Sequence, residues 1–342
     1  MTIKEIAEAL NVSTATVSNV IHGNLKKMSP ATAEIIRKKL EEYSYIPNMS
    51  ARILAKGQSS IIGVITNYPN REEKFALQDP FVSELMGALE NAIRTEGYYM
   101  MLNAAQNANE IARIAQTWDV DGLIVMGLQA NQCRELMEEA KKPIVFIDCY
   151  FDRGEMYNNV GLDDRKGMYQ LTRYLLKSGH RNMLFIGDQP VLWGVDANRL
   201  QGHIDALATA GIEWDPKNYR EISKDRKIRQ QDFEKLAKRL RRENTTAWLF
   251  TSDYYAVEAI NFLHDAGFHV PEDISVTGFD DNILAHVVRP RLTTVHQDVY
   301  KKAEAAVKML MGIISGACTS ASSVVLCPRT VHGNSIKVLE KE

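Results

Sequence analysis

The sequence predicts an α/β protein with an all-α head: short helices over the first sixty residues, then two lobes, each a parallel doubly wound sheet. Three observations carry this. At Ile61 the apolar spacing changes from a helical period to short apolar strands alternating with longer amphipathic helices. That alternation continues over most of the remaining chain, a pattern that requires parallel sheets with helices on both faces. Charge divides at the same place. Residues 1–60 hold eight Lys/Arg against five Glu, giving +3, while the remainder holds 33 basic against 38 acidic groups, giving −5. A small basic head on an acidic body suits a protein that touches a polyanion with one end only.

In the head, Ile3, Ile6, Ala7 and Leu10 fall at i, i+3, i+4 and i+7 and form one apolar helix face. Asn11 closes that helix, and Ser13 stands where an N-cap opens the next, whose buried side is Val17, Val20 and Ile21. Ser29-Pro30 opens a third helix, a capping residue followed by proline in the first turn, and this helix runs through Ile35, Ile36 and Leu40 to Tyr43. In the body, strands are predicted at 61–66, 98–103, 122–127, 143–148, 182–188, 247–253 and 274–281, in two groups. Two lobes of this kind place a ligand beyond the strand C-termini. The polar stretch 67–78 is expected to be a loop.

Composition narrows the class. No run of about 18 apolar residues exists to span a membrane. The N-terminus lacks the basic start, apolar stretch and cleavage site of a signal peptide, which predicts a cytoplasmic protein. Cys133, Cys149, Cys318 and Cys327 have no C-x-x-C spacing, so reduced thiols in a packed core are expected rather than a disulfide framework or a metal site. Phosphate-binding, metalloprotease and nucleophile-elbow motifs are absent, which argues against an enzyme, and nothing calls for a cofactor.

The stretch 3–23, IKEIAEALNVSTATVSNVIHG, reads as a helix-turn-helix, whose second helix lies in the DNA major groove. An ordinary helical hairpin is the plain alternative. Small side chains at Thr14, Ala15, Thr16 and Ser18 permit a close approach to bases. Thr2, Ile3, Ile6, Ala7, Val12, Ser13, Thr16, Val17 and Ser18 resemble the start of the lactose/galactose-repressor family. The resemblance implies base reading by Thr14, Ala15 and Asn19, with Thr2, Ser13, Thr16 and Ser18 also at the DNA surface. The family usually carries Arg where this chain has Asn19. Arg suits guanine and Asn suits adenine. His22 likewise replaces a usual Asn.

Residues 45–54, YIPNMSARIL, resemble the family's hinge helix. The resemblance implies DNA contacts from Asn48, Ala51, Arg52 and Leu54. Leu54 is the residue expected to wedge between base steps in the minor groove and kink the duplex. A short amphipathic linker is the plain reading.

The resemblance continues through the body, at 161–188, at Ala197–Gly202, at Val270-Pro271 with 274–281, and at Pro290–Val295. It implies a periplasmic-binding-protein-like sensor with a small-molecule effector, a sugar or sugar derivative, between the lobes. Arg199 and Asp280 are the implied contacts, a donor fork and an acceptor pair suited to polyhydroxylated ligands, with a structural ion pair as the alternative. Asp148 and Asp253 end strands facing the expected cleft. Phe81 and Trp193 could stack on a ligand ring or belong to the core. Lys224–Arg229 is a basic stretch, either a solvated loop or, through Arg226, a contact to an anionic effector.

The domain boundaries expected are a head at 1–47, a hinge and linker at 48–60, a first lobe at 61–160 plus about 292–320, and a second lobe at 161–291 plus about 321–342. The resulting reading is a homodimeric, effector-controlled repressor of double-stranded operator DNA. A solute-binding protein without a regulatory role is the alternative.

Overall fold

The computed structural model describes residues 2–21, 28–43, 45, 58–67, 76–151, 154–190 and 193–339. His22, Asn48, Ala51, Arg52 and Leu54 lie outside them, as does most of the expected hinge. The chain divides into two compact units, Met1–Ser59 and Ser60–Glu342.

The first unit contains α1 (Ile3–Ala9), α2 (Thr14–Ile21) and α3 (Pro30–Glu42). Their facing sides bury Ile6, Ala7, Val17, Val20, Ala33 and Ile36 as one core. Each start is capped, which satisfies N–H groups that lack helical partners. Thr2 and Glu5 form a reciprocal capping box on α1. Ser13 Oγ accepts from Thr16 N at 3.1 Å at the start of α2, and Ser29 Oγ accepts from Thr32 N at 3.1 Å before Pro30.

The second unit is built on two parallel sheets. The first has strand order β11-β5-β4-β3-β1-β2, from β1 (Ile61–Asn67), β2 (Tyr99–Ala105), β3 (Gly122–Met126), β4 (Ile144–Ile147), β5 (Asn159–Leu162) and β11 (Ser323–Leu326). Helices α4 (Pro80–Thr95) and α12 (Val299–Ile314) cover one face, burying Leu85, Leu89, Ala303 and Leu310 against Val64 and Ile124. Helices α5 (Ala108–Thr117) and α6 (Ala130–Glu139) cover the other with Ile111, Ala115 and Leu136.

The second sheet has order β7-β6-β8-β9, from β6 (Met183–Gly187), β7 (Tyr219–Glu221), β8 (Ala247–Phe250) and β9 (Ser275–Thr277). It lies between α7 (Asp164–Lys177) with α8 (Gly194–Ala208) on one side and α9 (Arg226–Glu243) with α10 (Asp253–Asp265) on the other. A short α11 (Ile283–Val287) follows β9, and β10 (Thr294–His296) pairs antiparallel with β12 (Arg329–Val331).

The structure corrects several expectations. Gly161 and Leu162 stay in the first sheet, and Ser323–Leu326 extends it by pairing parallel with β5, although 321–342 was expected in the second lobe. Leu292 and Val295 pack in cores of the second sheet, so the return to the first lobe comes at α12. Cys318 and Cys327 are exposed, and only Cys133 and Cys149 are buried. Lys224–Arg229 is not a loop: Asp225 caps the start of α9 there, accepting from Lys227 N and Ile228 N. Residues 76–78 of the expected loop form a 3-10 turn. No described helix is long and apolar enough to cross a membrane.

Candidate functional site

On the head, Thr14, Ala15 and Asn19 are exposed along α2, while Val17 and Val20 are buried beneath them. Ala15 and Asn19 stand one turn apart, on the same helix face. Burying one stripe of an eight-residue helix and leaving the other short and polar is what a helix presented to a groove requires. Ser13 and Thr16 are tied to one another, Oγ to Oγ1 at 2.8 Å. With Thr2, their hydroxyls hold helix starts, and Ser18 is half-buried.

In the body, functional side chains gather where the strands of both sheets end. Arg199 is the centre. Its Nε donates to Asp164 Oδ1 at 2.8 Å and its Nη1 donates to the carbonyl of Thr251, while Asp196 Oδ1 stands 3.8 Å away. The guanidinium lies 3.8 Å above the Phe279 ring and is 7 % exposed. Burial alone would lower its pKa, but Asp164, Asp196 and Asp280 outweigh burial and raise it, so Arg199 stays charged. Asp164 also accepts from the Tyr150 hydroxyl.

A second chain of contacts starts from Lys302, fully buried on α12. Its Nζ donates to Asp148 Oδ2 at 2.6 Å and to Gln297 Oε1 at 2.9 Å. Gln297 Nε2 in turn donates to Asp280 Oδ1 at 2.6 Å. Lys302 also lies 5.3 Å from the centre of the half-buried Phe81 ring. Asp148 is held at φ 53° and Asp280 at φ 131°, conformations that cost an L-residue energy and concentrate at functional sites. Burial pushes the Asp280 carboxyl well above its ordinary pKa. Arg199, Asp148, Asp280 and Phe81 therefore belong to one linked cluster. Trp193, at the start of α8, is 40 % exposed.

Two predicted ligand residues have other duties. Asp253 is fully buried with both oxygens engaged: Oδ1 accepts from the Thr294 hydroxyl at 2.5 Å and Oδ2 from Asn282 N at 3.0 Å. It fastens the loop after β9 to α10. Burial raises its pKa to about 7. Arg226 stands outside the cluster. Its side chain is 75 % exposed and pairs with Glu258, Nε to Oε1 at 3.3 Å, beside the buried Arg229 on the same carboxylate.

Sequence reading missed Asp164, Lys302 and Gln297. Lys302 did leave a signal, since it interrupts the apolar stripe Val299, Ala303, Ala306, Val307, Leu310 of α12. A lysine in such a stripe is stable only with a buried partner.

Residues 2–48 match the family model described as bacterial regulatory proteins, lacI family, and residues 172–336 match that of a periplasmic binding protein-like domain. The transcriptional regulator MalR of Clostridium butyricum is 31 % identical over 324 residues, covering 92 % of this chain and 93 % of its own. GalR of Escherichia coli (strain K12) is 28 % identical over 348 residues, covering 98 % and 95 %. Among solved structures, the lac repressor dimer bound to operator and the anti-inducer ONPF superposes with a TM-score of 0.84 at 23 % identity, covering 98 % of this chain and 99 % of that one. The CelR–cellobiose complex gives 0.72 at 24 % identity, with the same coverage. A head presenting α2, joined to a periplasmic-binding-protein-like body, defines a DNA-binding transcriptional regulator. The chain belongs to the lacI family of bacterial regulatory proteins.

Proposed function

We propose that the chain is a repressor whose operator affinity is set by a sugar bound at the strand-end cluster between the lobes. It acts by binding rather than turnover, as a homodimer in the cytoplasm, and needs no metal or cofactor. Two α2 helices enter successive major grooves of a near-palindromic operator, with Thr14, Ala15 and Asn19 toward the bases and the hinge at 48–60, including Leu54, in the minor groove. Two heads on one frame raise an otherwise weak, salt-sensitive affinity.

The observation that carries the sugar reading is the pair of linked chains at the strand ends. Arg199 offers donors and Asp280 and Asp148 offer acceptors, the mixture a polyol needs, while Phe81 and Trp193 supply aromatic faces. The relatives' names and the cellobiose complex of CelR support the same ligand class. The test is to select an operator from a random duplex pool, then titrate mono- and disaccharides into the complex while following DNA anisotropy. Repression by this route predicts a sugar-dependent change in affinity. Tight operator binding that no sugar alters would leave a regulator without this sensor.

A further inference from the structure

The inter-lobe cluster holds more acid than the contacts above use. Besides Asp148, Asp164 and Asp280, three further carboxyls bear on it. Asp79, which caps α4 of the first lobe, is close enough to feel both Arg199 and Asp188 of the second. Asp188 Oδ2 accepts from the Tyr255 hydroxyl at 2.8 Å. Asp196 lies on the first turn of α8 beside Arg199. On the cationic side, Arg199 is committed to Asp164 and Lys302 to Asp148. Lys224 is the further cation that acts on Asp196. Burial raises Asp79, Asp196 and Asp280 above the ordinary carboxyl range, so a cation arriving beside them would restore their ionised forms. No group of such side chains among the described residues is placed to hold a metal ion.

Asp196 points to what is missing. It is 6 % exposed, yet no hydrogen-bond donor reaches its carboxylate among the described residues, and Arg199 Nη1 at 3.8 Å is beyond hydrogen-bond length. The charges acting on it come from Arg199, Asp188, Asp164 and Lys224; Asp188 and Lys224 follow β6 and β7 of the second sheet, and Asp164 follows β5 of the first. Nearby, Asp148 Oδ1 is fully buried without a partner among the described residues. A fully buried carboxylate oxygen without a donor, such as Asp148 Oδ1, is costly.

Resting on the reading of this cluster as the effector site, we infer that the effector is a polyhydroxylated molecule carrying a protonated amine, seated against Asp196, and that phosphorylated and carboxylated sugars are rejected. An ammonium brings three donors and the missing positive charge. A phosphate ester would bring negative charge into a buried site lined with carboxyls, whose cations Arg199 and Lys302 are already paired with Asp164 and Asp148. Burial already raises the Asp196 carboxyl to about 7, and an incoming amine restores its ionised form.

The test is calorimetric titration of the full-length chain near neutral pH with three matched series: glucose, galactose and mannose, each as parent sugar, 2-amino-2-deoxy sugar and 6-phosphate. In the series that binds, the amine is expected to bind about tenfold tighter than its parent, the weight of one charge-assisted contact, with no detectable binding of the phosphate. D196N is expected to reduce that advantage below about threefold. The wild-type comparison needs no variant, so the inference remains falsifiable if D196N fails to fold. A parent sugar that binds as well as its amine, or a phosphate that binds as well as the parent, overturns it. If neutral sugars bind and shift operator affinity while amines gain nothing, the charge inference falls and the proposed function stands. If no member of any series binds, the charge inference falls, and the proposed function is decided by the mono- and disaccharide titration of the operator complex.

Discussion

Lys302 Nζ sits 2.6 Å from Asp148 Oδ2, a buried ion pair between the covering helix α12 and the end of β4. Through Gln297 the same ammonium is joined to Asp280, beyond β9 in the other lobe. A ligand that accepts from or donates to Asp280 therefore pulls on a chain anchored in the first lobe, which is the kind of two-sided contact that couples binding to lobe position.

Breaking that chain is expected to be costly. Lys302→Met leaves Asp148 and Gln297 without their shared donor and should lower unfolding stability by about 3–5 kcal/mol, the usual cost of removing one partner of a buried pair. Urea denaturation measures it. A loss below about 1 kcal/mol would mean that water replaces the ammonium and the chain is not continuous.

The packing of α7 on α8 gives a second expectation. A Cβ on Gly202 would stand 2.0 Å from the backbone oxygen of Arg165 and 3.0 Å from Tyr169 N. Neither is a side chain that can rotate away. Gly202→Ala should force the two helices apart and destabilise the fold by about 1–3 kcal/mol or more, visible as a lowered thermal midpoint. Because α8 carries Arg199, effector affinity should fall with it.

Asp196 gives a pH dependence with a definite sign. Its carboxyl titrates at about 7 in the folded chain, from burial, against about 3.9 when unfolded. Between these values the folded state holds the extra proton, so the contribution of Asp196 to stability is full below about pH 4 and is lost as pH rises toward 7. Asp196→Asn removes that loss. The thermal midpoint of the variant minus that of the wild type should therefore rise from pH 4 to pH 7. A difference that stays flat or falls would place the titration elsewhere.

Asn19 is exposed on α2 where it can meet a base edge. Asn pairs with adenine N6 and N7, whereas Arg pairs with guanine O6 and N7. Asn19→Arg should switch the base preferred at one position of each half-site, by about 1–3 kcal/mol of discrimination. Parallel operator selections with the two proteins test it. Identical selected sequences would remove Asn19 from the reading face.

Much of the fold was legible because the central strands are buried on both faces and read as unbroken apolar runs, as in Leu123–Val125, Val145–Ile147 and Trp248–Phe250. Edge strands carry no such signal. Ser323–Leu326 is largely exposed, and its partner β5 lies far away in sequence, so no local pattern could assign it to the first sheet. At the candidate site, Arg199 and Asp280, which the resemblance implied, fall within the linked cluster. The contacts of Asp253 were not legible, because a strand-end position says nothing about whether Thr294 and Asn282 already occupy its oxygens. The placement of Arg226 was not legible either, because charge along the sequence does not show that Glu258 pairs with it at the surface.

The most direct test of effector-controlled operator binding is the operator affinity of wild type and Asp280→Ala, each measured with and without a saturating ligand of the inter-lobe cluster. The account predicts a ligand-dependent change of at least about fivefold in the wild type, at the lower end of ordinary coupling between sites, and none in the variant. An equal ligand response in both proteins would contradict it.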